Sequence, residues 1–116
     1  MEQKILVIDD LRVFHDLKPE VTWYARNSEE AINMILKDVY TETWWDHDLG
    51  GDDDSRRVLH FIERLYHTEG WIPHLGNAYV HTANPAGAKS LVLGLSKYYH
   101  TKRVNVFDMN VGVIGS

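Results

Sequence analysis

The chain has 116 residues, a formal net charge of −5 and no cysteine. That length supports one hydrophobic core and one domain, residues 1–116. The missing cysteine excludes disulfides, thiol nucleophiles and thiolate-held zinc, and the negative balance with scattered basic residues argues against a duplex nucleic-acid surface. No window is apolar enough to span a membrane, and no charged-then-apolar leader opens the chain, so a cytoplasmic location is expected.

Residues 4–8 form a continuous apolar run with β-branched members, the pattern of a strand buried on both faces. The segment from Asp10 to Pro19 lacks helical periodicity and is expected as loop, with at most one helical turn. A second strand is expected over residues 20–25, around Val21, Trp23 and Tyr24. Asn27 with Glu30 makes a capping box. Ala31, Ile32, Ile35, Leu36 and Val39 then repeat at helical spacing, which predicts a helix over 28–39.

Residues 41–45 are the third expected strand, followed by an acidic glycine-containing loop over 50–55. Val58, Leu59, Ile62, Leu65 and Tyr66 mark a second helix that stops near Gly70. A fourth strand is expected over 77–81. Asn84-Pro85 carries both helix-start signals, and Ala88, Leu91, Val92, Leu95 and Tyr98 supply the buried stripe behind them. Residues 104–107 are expected as the fifth strand, and the tail over 108–116, where glycine alternates with Val111, Val113 and Ile114, is a candidate short edge strand with no assigned place. Strands alternating with helices imply an α/β fold with a mostly parallel sheet, whose ligands sit beyond the carboxyl ends of the strands.

Three expected strand ends concentrate the ionisable residues: Asp9-Asp10, Asp46-His47-Asp48 and His81-Thr82. Clustered carboxylates are costly unless hydrogen-bonded, protonated or paired with a cation. Oxygen ligands from Asp9, Asp10 and Asp46 suit Mg²⁺, Mn²⁺ or Ca²⁺; the plain alternative is a capped turn with solvated acids. His47 between two carboxylates has three readings: metal ligand, general acid or base, or hydrogen-bonded structural histidine. Should the third and fourth strands be neighbours, His47 and His81 could face one another. Two histidines with a divalent ion are sufficient equipment for phosphoester hydrolysis. Asn84 caps its helix, and the helix start also favours an anion. His15, His60, His67, His74 and His100 are expected at the surface, and the four tryptophans in packing, with Trp44 or Trp45 a candidate for stacking on a nucleobase.

Taken together, the blocks Ile8-Asp9-Asp10-Leu11-Arg12, Trp45-Asp46-His47-Asp48-Leu49-Gly50 and His81-Thr82-Ala83-Asn84-Pro85-Ala86-Gly87-Ala88 resemble the cyclic-phosphate-processing receiver-like domains, a divergent branch of the response-regulator receiver fold. The resemblance implies a single receiver-like (flavodoxin-like) three-layer domain with five mostly parallel strands and a reduced or missing first helix. It places Asp9 and Asp10 at the receiver's acidic metal-binding pair, Asp46 at its phospho-accepting aspartate, and Thr82-Ala83 at its switch hydroxyl and small neighbour. Receivers carry Lys-Pro after the fifth strand, where Phe107 is here followed by Asp108-Met109, so a phosphorelay role is disfavoured.

The expected function is therefore a metal-assisted phosphoesterase for a cyclic or terminal phosphate of a nucleotide or RNA end. Asp9, Asp10 and Asp46 would hold Mg²⁺ or Mn²⁺, with Asp48 a fourth candidate. His47 and His81 would form the acid/base pair, Arg12 would clamp phosphate, and Thr82 and Asn84 would position substrate. The competing expectation is a module that binds a nucleotide or protein partner and hydrolyses nothing.

Overall fold

The computed structural model describes residues 2–114. In chain order the elements are β1 (Ile5–Ile8), β2 (Arg12–Phe14), β3 (Thr22–Ala25), α1 (Ser28–Lys37), β4 (Glu42–Trp45), α2 (Arg56–Glu69), β5 (Asn77–Val80), α3 (Pro85–Leu95), β6 (Thr101–Arg103) and β7 (Val111–Val113). Five of the strands form one parallel sheet in the order β3-β1-β4-β5-β6. The order reverses beside β1, so a crevice opens at the carboxyl ends of β1 and β4.

The pleat sorts the side chains onto two faces. Leu6, Ile8, Trp45 and Val80 point to one face, where they pack with Ala31 and Ile35 of α1, Val58 and Ile62 of α2, and Leu91 and Leu95 of α3. Ile5, Val7 and Trp44 point to the other, with Phe14 of β2 and the partly buried Leu17, Tyr24, Tyr79 and Val111. All three helices thus lie on one face. The opposite face is closed by an antiparallel ribbon of β2 and β7, pairing Arg12 with Val113 and Phe14 with Val111. The domain keeps three layers and the expected missing first helix, but its third layer is this ribbon.

The ribbon corrects the expectation of loop after Asp10. Arg-Val-Phe is too short to announce a strand, and its partner is the tail that had no assigned place. The fifth strand is also displaced from 104–107 to Thr101–Arg103. The backbone N–H of Val104 still donates to Val80, at 2.8 Å, but Asn105 then caps a 3-10 turn over Val106–Asp108 and ends the ladder. This edge strand is polar and lacks the alternation that reveals a buried one. Smaller shifts follow the same logic. A 3-10 turn over Pro19–Val21 replaces the start of the expected second strand, and α1 stops at Lys37 because Asp38 is extended. Among the described residues no helix is long and apolar enough to cross a membrane.

Gly76 admits β5 into the sheet. Its φ is +61°, and a Cβ there would sit 1.9 Å from the Thr41 carbonyl oxygen, which accepts the Asn77 N–H. Gly76→Ala is therefore expected to destabilise the domain by roughly 3 kcal/mol. A urea midpoint equal to wild type would contradict this account of the turn.

Candidate active site

Asp9 sits one residue past β1 and is fully buried. Its Oδ1 accepts the backbone N–H groups of Leu11 and Arg12, at 2.9 and 2.8 Å, which wraps the chain around the carboxylate and starts β2. Its Oδ2 lies 3.2 Å from Arg12 Nη1 and 2.8 Å from His81 Nε2. Burial alone would push this carboxyl up. The His81 and backbone hydrogen bonds outweigh burial and hold it at about 2.

Asp46 holds the same place after β4, where its N–H donates to the Ile8 carbonyl. Arg12 Nη1 reaches its Oδ2 at 3.2 Å and so bridges Asp9 and Asp46. One guanidinium does not neutralise the group. Burial and then the charge of Asp9 push the Asp46 carboxyl up, against the Thr82 hydroxyl, His81 and Arg12. Asp10 is also raised, by burial first and by Asp9.

His81 is fully buried beneath the ribbon, edge-on to Phe14 at 4.9 Å. Its Nδ1 has no hydrogen-bond partner. Its Nε2 faces the Asp9 carboxylate, so Nε2 carries the hydrogen donated to Oδ2. His47 is elsewhere. Its Nδ1 contacts Asp48 Oδ1 at 3.1 Å, and its ring lies on the first turn of α3, where a Cβ on Gly87 would come within 2.5 Å of the ring. Asp48 also accepts from the Asn84 side-chain amide at 3.4 Å, while Asn84 caps α3 through the Gly87 N–H.

A cavity of about 370 Å³ opens over this arrangement, lined by Asp10, Arg12, Asp46, Asp48, Thr82 and Asn84 together with Leu11, Gly50, Ala83 and Val113. The strand ends thus bring most of the expected residues to one opening. They do not bring His47 and His81 together on it: neither ring lines the cavity. Asp9 lies behind it, with its oxygens already committed. A larger depression of about 880 Å³ lies between α1 and α2. Its walls are mostly helix surface, including His60 and His67, and it collects none of the strand-end groups.

A divalent ion suits this chemistry. Ligand atoms of Asp9, Asp46 and His81 lie within 4.8 Å of one another, the one such group among the described residues. The hydrogen bonds commit Asp9 and His81 to each other, which leaves the carboxylates facing the cavity. The raised Asp46 and Asp10 carboxyls mark a negative cluster short of positive charge, the donor set that suits a hard cation.

Two structural residues were invisible in the sequence. Arg26, just past β3, donates from Nη1 to the Asp9 and Arg12 carbonyls at 3.0 and 2.7 Å and stacks on Tyr24. It pins the turn that aims Arg12. Asp53, expected in a solvated loop, instead receives the N–H and hydroxyl of Ser28 at the start of α1. Trp44 and Trp45 are buried and offer no face to a base, whereas the five other histidines are exposed as expected.

Asp9 and Asp46 should respond to acid with opposite signs. The depressed Asp9 carboxyl contributes stability that is complete above its ordinary 3.8 and is lost as the pH falls toward 2, about 2 kcal/mol in all. Asp46 is raised, so its charge destabilises the fold near neutrality and that cost vanishes in acid. Urea titrations should find Asp9→Asn weaker than wild type at neutral pH. Asp46→Asn should be more stable there, with the gain fading below pH 4. A neutral-pH loss of stability in Asp46→Asn would contradict this electrostatic account.

The model of the cyclic-phosphate processing receiver domain matches residues 4–97. Among solved structures, the chain is similar to a response regulator protein from Burkholderia pseudomallei, crystallised with a phosphorylated aspartic acid, a calcium ion and citrate. The identity is 22%, the TM-score 0.53, and the match covers 92% of this chain and 64% of that one. The chain thus spans less than two thirds of that protein's length, and the likeness is one of fold. No curated protein matches the chain.

Proposed function

Since the chain belongs to the cyclic-phosphate processing receiver domain family, we propose that its strand-end cavity hydrolyses a cyclic or terminal phosphate ester of a nucleotide or RNA end. The observation that carries this reading is Arg12, held between two buried carboxylates at the floor of a cavity that also presents Thr82 and Asn84. An arginine so fixed can take an anionic phosphate oxygen in a defined orientation. Thr82 and the Asn84 amide are donors for the remaining oxygens.

Asp10 and Asp46, with Asp48 beside them, would hold Mg²⁺ or Mn²⁺. The ion would supply charge stabilisation on the phosphoryl group. His47 would serve as base only by turning its ring from α3 toward the cavity, whose wall its partner Asp48 forms; there it would take the proton of the attacking water. The new P–O bond forms as the ring P–O bond breaks. His47 then returns the same proton to the departing oxygen, so one water is consumed and no net proton is released. His81 acts from behind as a positioning residue, because its Nε2 holds the Asp9 carboxylate that aims Arg12.

The test offers 3′,5′-cyclic nucleotides and RNA ends bearing 2′,3′-cyclic phosphate, with Mg²⁺ or Mn²⁺, and follows the monoester product. Arg12→Ala is expected to lower turnover roughly a hundredfold. Mechanistically, full activity in both His47→Ala and His81→Ala would sink the scheme. Mg²⁺ or Mn²⁺ should raise the melting temperature of wild type, and Asp46→Asn should abolish that rise. An equal rise in the variant would remove Asp46 from the ligand set.

One observation favours a second reading, a module that binds and releases its ligand intact. No imidazole lines the cavity. Thermal stabilisation by a cyclic nucleotide that is recovered unchanged would support it. A phospho-accepting role ranks behind both, because β6 is followed by Val104-Asn105 and no lysine stands there.

A further inference from the structure

Beside the phosphate cavity lies a second opening of about 460 Å³, and the two share Thr82 and Ala83 as a common wall. The far wall of the second opening is the end of β6 and the segment after it: Arg103, Asn105 and Phe107. Phe107 is 80% exposed, the most exposed large apolar side chain among the described residues. Its ring is not held in the core. It is presented by a short 3-10 turn, which the Asn105 side chain fixes by accepting the Phe107 N–H at 3.0 Å. Arg103 is exposed, and among the described residues it makes no ion pair or side-chain hydrogen bond. An aromatic face, a free guanidinium and the free amide nitrogen of Asn105 therefore surround one space, next to the place where Arg12 would hold a phosphate.

We infer that this second opening is a nucleobase subsite, in which the base stacks on Phe107 and Arg103 donates to its acceptor edge. The inference rests on the phosphate reading of the first cavity and adds the part of the substrate that the first cavity does not touch. An exposed phenyl ring costs solubility, and a base gives it a flat apolar partner. Arginine suits the rim because its planar fork donates in the base plane and stacks as well. Because Thr82 and Ala83 line both openings, a ligand with its phosphate on the Arg12 side of Thr82 can extend its nucleoside into the second opening. Trp44 and Trp45 cannot do this, since both are buried. The preferred ligand is then a nucleotide, and a bare sugar phosphate would be bound by the first cavity alone.

Calorimetry with two probes tests this. One is adenosine 2′,3′-cyclic phosphate; the other is methyl riboside 2,3-cyclic phosphate, in which a methoxy group replaces the base. Wild type is expected to bind the adenosine compound about tenfold more tightly. Phe107→Ala should close that gap, Arg103→Gln should narrow it, and Phe107→Trp should keep it. Phe107 contributes nothing to the core, so the melting temperature without ligand serves as the control for folding. Equal affinities in wild type, a gap that survives Phe107→Ala, or no binding of the adenosine compound would each overturn the subsite. Turnover is scored separately. With binding preference intact and no hydrolysis of either probe, the subsite stands and the phosphoesterase reading falls.

Discussion

The structure depends on one buried carboxylate. Asp9 receives four hydrogen bonds, from two backbone N–H groups, from Arg12 and from His81. Each donor belongs to a different structural task. The two N–H groups turn the chain from β1 into β2. Arg12 carries positive charge to the cavity floor, and His81 ties the end of β5 to the end of β1. An unpartnered carboxylate at this depth would be prohibitive, so the same bonds that satisfy Asp9 also assemble the site.

That arrangement explains why the ribbon of β2 and β7 exists where a helix would otherwise lie. The turn around Asp9 leaves too few residues for a helix before Pro19, and a three-residue strand cannot cover a sheet face alone. Pairing with Val111–Val113 gives β2 its missing hydrogen bonds and brings Phe14 over Trp44 and His81. The ribbon thereby seals His81 from solvent. Val113 and Arg12, which are paired across it, both reach the cavity. A change in how the tail docks would therefore be felt at the cavity.

Function here is set against stability. Burial and the charge of Asp9 raise the Asp46 and Asp10 carboxyls, so their ionised forms strain the fold near neutral pH. A cation bound among these carboxylates would relieve that repulsion. Arg26 and Asp53 do not line the cavity, yet they fix the turns on which it stands.

The residues at the strand ends were legible because an apolar run that stops at an acid or a histidine is a local pattern. Periodicity marked all three helices, and capping side chains marked two of their starts, Asn27 and Asn84. These signals live within a few residues, so sequence alone determined the fold class, the order of the main elements and most of the cavity wall. Only the tertiary structure decided that β2 pairs with β7, that β6 is the polar stretch Thr101–Arg103, and that His47 and His81 part company. Each of these turns on a partner far away in the chain. His47 follows Asp46 directly, but its ring goes where Gly87 leaves room on α3. His81 looks like an exposed acid/base group until Phe14 covers it. Spacing announces which residues reach a strand end; packing from distant segments settles which of them meet the solvent there.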